Sequence, residues 1–103
     1  MRTPVDSVDV RKAGKIMNLY LVLTHYWYDE IEAGRKRVEY RNMADHWKKQ
    51  IWDKRDKIKT VTFARGYSST TQTFAVTGIC VDECPIPNWT ALYYCVSFED
   101  ITA

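Results

Sequence analysis

The sequence predicts an α+β fold that is mainly β: a small mixed β-barrel of five to six strands with two short helices at its mouth. Three observations lead there. The chain has 103 residues, enough for one hydrophobic core and no more. Five short segments carry the length and period of a strand, and two segments, both in the first half, carry helical spacing. Five strands are too few to cover a two-layer sandwich, whereas closing them into a barrel removes exposed edges. An apolar share of 46% and a charged share of 27% are ordinary for a globular domain and exclude a low-complexity chain.

Residues 1–16 contain Pro4 and Gly14, show no period, and read as a loose N-terminal arm before a single domain over 17–103. Asn18 to Thr24 is a strand, read as buried on both faces because Leu19, Leu21 and Leu23 alternate with Tyr20 and Val22. Thr24 caps a short helix that turns Trp27 and Ile31 inward and ends at Gly34. Arg37 to Arg41 is a short strand with Val38 and Tyr40 on one face and Arg37, Glu39 and Arg41 on the other. Asn42 is placed as the N-cap of a second helix to about Trp52, with Ala44, Trp47 and Ile51 inward and Lys48 and Lys49 outward. A charged connection over 53–59 leads to a strand from Thr60 to Arg65 and a Gly/Ser turn over 66–71. A longer strand runs from Gln72 to Val81. Pro85, Pro87 and Asn88 break the chain before the last strand, Leu92 to Glu99.

Charge is unevenly spread. Residues 34–59 hold ten basic and four acidic groups, a net +6, whereas no Lys or Arg follows Arg65. Such a field suits an anionic partner, with RNA or another single-stranded nucleic acid foremost. No apolar run approaches the roughly 20 residues of a membrane span, so no membrane partner is expected. The N-terminus has no apolar h-region, and three cysteines make an odd number; both point to a reducing, cytoplasmic setting.

The candidate site begins at Gly34-Arg-Lys36-Arg-Val-Glu39-Tyr-Arg41. Lys36 offers a point charge and Arg41 a planar fork, both suited to phosphate or carboxylate. Glu39 either orients Arg41 through a salt bridge, accepts from a base amino group, or acts as a general base. Lys36 shares the strand parity of Val38, so all three meet in one cleft only if the chain bends after Lys36. Arg65 and Tyr67 form a second candidate, a guanidinium and a ring at a cleft mouth. Lys48 and Lys49 supply further phosphate contacts. Trp27, Trp47, Trp52 and Trp89 each read as core or rim, and Trp52, which departs from the inward stripe of its helix, is the best of them for the alternative of an exposed stacking platform. Cys80, Cys84 and Cys95 lack the paired spacing of a zinc site, no metal is expected, and no phosphate-binding glycine loop or other cofactor signature is present.

The Gly34–Arg41 segment resembles the signature of the ASCH domain family, a group of PUA-like β-barrels, Gly-x-Lys-x-x-Glu-x-Arg, at all four positions. The flanks are similar in order, with the helix around Trp27–Ile31 before it and the VTFARGY, TFAVTGI and ALYYCVSFEDI segments after it, so the likeness spans roughly 18–101. It implies a barrel with a cleft beside the motif that binds RNA or a nucleotide. Some members of that family hydrolyse acylated cytidine-type nucleosides or cut RNA. In the amidohydrolase type, the resemblance makes Lys36 the catalytic lysine and puts Glu39 where that type carries a threonine. Three functions stand side by side: a nucleic-acid-binding module, a small hydrolase of a modified nucleoside or RNA using Lys36 and Glu39, and a protein-interaction module using the acidic C-terminal half.

Overall fold

A computed structural model describes residues 15–89 and 91–101, so the predicted arm lies almost wholly outside the described residues. The elements in order are β1 (Met17–Leu23), α1 (His25–Glu32), β2 (Val38–Asn42), α2 (Asp45–Trp47, widening into a π-helical turn over Lys48–Trp52), β3 (Ile58–Arg65), β4 (Thr71–Glu83) and β5 (Leu92–Glu99). They form one five-stranded sheet in the order β1-β3-β4-β5-β2, curled into a half-barrel. Only β1 and β3 run parallel, and the long connection between them carries α1, β2 and α2. That crossover sends β2 to the far edge, where it pairs antiparallel with β5.

Alternation writes the core. Leu19, Leu21 and Leu23 of β1 face Val61 and Phe63 of β3, Phe74 of β4, and Tyr94, Val96 and Phe98 of β5. Ile31 from α1 and Ile51 from α2, both with no exposed surface, close the two helices onto it. Phe63, Phe74 and Phe98 meet as a tilted aromatic triad with centroids 4.9–5.9 Å apart. Truncating Phe63 to Ala in that enclosure costs about 3–5 kcal/mol.

Several predicted details differ. β1 is buried on one face only, because it is an edge strand and Tyr20 lies exposed on its outer side. In α1 it is Tyr28 rather than Trp27 that joins Ile31 in the core. Asn42 belongs to β2, paired with Tyr93, and its side-chain oxygen accepts from the Ala44 N–H at 3.3 Å. Ala44 is exposed, and α2 makes one turn before the Asp53 N–H reaches the Lys48 carbonyl, a five-residue span. The wider turn carries Ile51 inward. Ile58, read as part of the charged connection, starts β3 as a buried residue. β4 is longer than expected and holds a bulge between Val76 and Gly78.

The corner before β2 follows its predicted chemistry. Gly34 takes φ +83, open to glycine at no steric cost. Its N–H bonds the Ile31 carbonyl and the Arg35 N–H bonds the Glu30 carbonyl, both at 3.0 Å, completing a Schellman cap. The Lys36 N–H also reaches the Glu30 carbonyl, at 3.2 Å. The chain therefore bends back at Lys36 before entering β2.

Candidate functional site

Glu39 and Arg41 project from β2 to the concave side, opposite Val96 and Tyr94 of β5. Glu39 is the one buried charged residue among those described, 6% exposed. Its Oε1 accepts from Lys36 Nζ at 2.7 Å and its Oε2 from Arg41 Nε at 2.9 Å. The bend after Lys36 that the motif requires is present, and the Schellman corner makes it. Lys36 is held on its other sides by aromatic faces, 4.7 Å from the Trp27 centroid and 5.5 Å from that of Tyr40. Burial pushes the Tyr40 phenol above its usual range.

Arg41 ties the open sheet together. Its Nη2 donates to the Val22 carbonyl of β1 at 3.0 Å, so a side chain bridges the two edge strands that no backbone ladder joins. Its guanidinium lies 4.8 Å from the Trp47 ring centroid. Among the described residues Nη1 has no hydrogen-bond partner. The fork is thus held by protein at Nε and Nη2.

Two clefts meet at Arg41. One, of about 650 Å³, has Glu39 and Arg41 on its floor, Trp27, Tyr40 and Trp47 in its walls, and Asn88, Trp89 and Tyr93 at its rim. The other, of about 550 Å³, shares Val22, Arg41 and Trp47 and runs toward His25, Gly66 and Tyr67. Tyr67 is fully exposed there. Gly66, at φ +61, permits the close approach of His25, whose Nε2 stands 3.1 Å from where a Cβ would sit. Lys36 itself faces a smaller pocket of about 250 Å³ with Pro85 and Ile86, on the other side of the Trp27 and Tyr40 rings. A further groove of about 430 Å³ lies along Met17–Tyr20 against α2 and contains none of the motif residues.

The remaining sequence candidates are scattered. Arg65 grips Asp29 of α1 with two hydrogen bonds, 2.9 and 3.1 Å, across the mouth. That pairing holds the Asp29 carboxyl below, and the Arg65 guanidinium above, their ordinary values. Lys48 is exposed and bridged to Asp53 at 2.9 Å, and neither it nor exposed Lys49 lines a cleft around Arg41. Trp52 is half-buried rather than an exposed platform: it stacks on Tyr94, with the Arg55 guanidinium 4.1 Å from its ring centroid. The π-helical turn is what swings it onto the sheet. The +6 segment is also partly neutralised from outside, since Arg35 pairs with Glu30 and Arg37 with Asp100, while Lys36, Arg41 and Lys48 pair with acids of the segment itself.

Sequence reasoning placed Trp27, Trp47 and Trp89 in core or rim and did not pick out Asn88, Tyr93 or the Val22 carbonyl. The break at Pro85–Asn88 held a signal: Asn88 takes φ +73, a conformation in which asparagine is enriched. It turns the chain so that Trp89 packs on Tyr93, centroids 5.4 Å apart, at the cleft rim. Among the described residues no group of three or more His, Cys, Asp or Glu stands where it could hold one metal ion, and no helix is long and apolar enough to cross a membrane. No family model matches the chain, and no curated protein or solved structure matches it.

Proposed function

We propose that the protein is a nucleic-acid-binding module of the ASCH type that takes a nucleotide or short single-stranded RNA in the cleft around Arg41, in the cytoplasm. The observation that carries this reading is Arg41 itself. Glu39 and the Val22 carbonyl hold its Nε and Nη2, the Trp47 ring lies 4.8 Å from it, and it lines a cleft walled by aromatic rings. Rings stack on bases of any identity, and a pre-set guanidinium takes a phosphate or a base edge. Lys36, Glu39 and Arg41 together carry one net positive charge, so the attraction is modest and stacking supplies much of the affinity. Quenching of tryptophan fluorescence on titration with short single-stranded RNAs tests it. Weak binding at low salt is expected, with log K falling by roughly 0.7 per decade of salt for each phosphate neutralised. Absence of binding at low salt overturns the reading and favours a protein partner for the acidic C-terminal half.

A second reading, a hydrolase of an acylated cytidine or of RNA, draws on one observation: Lys36 Nζ and Glu39 Oε1 are 2.7 Å apart and shielded from water. Against it, Lys36 is boxed by Trp27 and Tyr40 away from the larger cleft that Glu39 faces. Release of free acid from an acylated cytidine, lost on Lys36→Met, would establish this second reading; no release sinks it.

A further inference from the structure

The three cysteines play no part in the cleft, yet two of them stand in register. Cys80 of β4 is directly opposite Cys95 of β5 in the antiparallel ladder. Directly opposed residues point to the same face of a sheet, with Cα atoms about 4.5 to 5.5 Å apart. A disulfide needs about 4.4 to 6.8 Å, so this pairing satisfies it without moving either strand. Their exposures differ. Cys80 is exposed and Cys95 is buried at 3%. Burial first, and then the neighbouring Cys80 thiol, push the Cys95 thiol up to about 11. Cys84 is buried beyond the end of β4 and, among the described residues, has no cross-strand partner.

We propose that Cys80 and Cys95 are a reversible redox couple whose disulfide clamps the neck of the β4–β5 connection. Asn88 and Trp89, at the cleft rim, belong to that connection, and Tyr40 of the cleft wall pairs with Cys95 from the opposite side. The oxidant class is a low-molecular-weight disulfide such as oxidised glutathione. Exposed Cys80, as thiolate, attacks one glutathione sulfur, forming a mixed disulfide and expelling one glutathione thiolate. Cys95 then loses its proton to solvent and attacks the Cys80 sulfur. The Cys80–Cys95 bond forms and the second glutathione thiolate leaves. Two protein thiols are oxidised by two electrons, and one glutathione disulfide is reduced to two thiols. The inference stands on register and exposure alone and does not depend on what the cleft binds.

The test treats the full chain with oxidised glutathione under native conditions, then denatures it in N-ethylmaleimide and weighs it. Three maleimide adducts before treatment should fall to one, with no glutathione retained. Trypsin cannot map the bond, because no Lys or Arg lies between Gly66 and Ala103. Cleavage after acidic and aromatic residues separates all three cysteines and should show Cys80 joined to Cys95. Cys84→Ser should fall from two adducts to none. Cys80→Ser, at an exposed position, should keep both remaining thiols free and gain no glutathione. Three adducts after treatment, a bond involving Cys84, or glutathione persisting on Cys80 of the natural sequence would each overturn the proposal.

Discussion

Glu39→Gln removes one charge and almost no volume, and its consequence follows from two distances and three exposures. Glu39 receives Lys36 at 2.7 Å and Arg41 at 2.9 Å, and the side chains of the three are 7, 11 and 18% exposed. A glutamine keeps one acceptor oxygen and turns an N–H toward the other cation, a donor facing a donor. One charge-assisted hydrogen bond is lost, worth about 1.5–3 kcal/mol. Two cations also remain in a shielded site with no counter-charge. Removing one partner of a buried ion pair costs about 3–5 kcal/mol, and the whole loss should fall in that range. In a domain of this size it lowers Tm by roughly 12 °C or more. Urea unfolding followed by tryptophan fluorescence, with an unchanged slope, measures it. Lys36→Met removes one of the stranded cations, so Glu39→Gln/Lys36→Met should be about 1–3 kcal/mol more stable than the two single losses add up to. If Glu39→Gln unfolds within about 0.5 kcal/mol of the natural sequence, Glu39 does not organise the site.

Arg41→Lys keeps the charge but cannot hold both Glu39 and the Val22 carbonyl; it should cost about 1–3 kcal/mol of stability and weaken RNA binding by roughly tenfold in the same titration. Tyr67→Ala should leave stability within about 0.5 kcal/mol, since the ring is fully exposed, and reduce affinity by about 1–3 kcal/mol if a base stacks on it. Replacing Lys48 and Lys49 together should change affinity less than about twofold at moderate salt, because neither lines the clefts. The Cys95 thiol titrates near 9.0 when unfolded and near 11 when folded. The folded state therefore holds the proton longer, and its stabilisation is full below pH 9 and lost as pH rises toward 11. Chemical unfolding at stepped pH should show that alkaline loss, about 2 kcal/mol in all, and Cys95→Ala should abolish much of it.

What the sequence reveals depends on how local the cause is. The strands of β3, β4 and β5 follow from alternation such as Val61/Phe63 and Tyr94/Val96/Phe98, because one buried face suffices to write the pattern. Gly34 is legible for the same reason: its positive φ and the Schellman bonds involve only the residues around it. The grouping of Lys36, Glu39 and Arg41 is local as well, spanning pairings two and three residues apart, and the bend that unites them is set by the same corner. What escapes is what lies far along the chain. The partner of Arg41 is a carbonyl 19 residues away, and that of Arg65 is a carboxylate 36 residues away. Trp89 reaches the rim only because β4 and β5 bring their connection beside β2. In the second helix Trp47 and Ile51 pack on the core as their spacing predicts, whereas Ala44 lies ahead of the first helical residue and the π-helical turn at Lys48–Trp52 leaves Trp52 stacked on Tyr94.

The proposed nucleic-acid site is the cleft around Arg41. Amide and indole NMR shifts recorded during titration with a short single-stranded RNA address it residue by residue. The indole N–H signals of Trp27, Trp47 and Trp89 and the Arg41 side-chain signal should move together and saturate with one affinity, while that of Trp52, packed on Tyr94, stays still. Shifts confined to Lys48, Lys49 and Trp52, or to the groove along β1, with the Arg41 cleft unmoved, would contradict binding at that cleft.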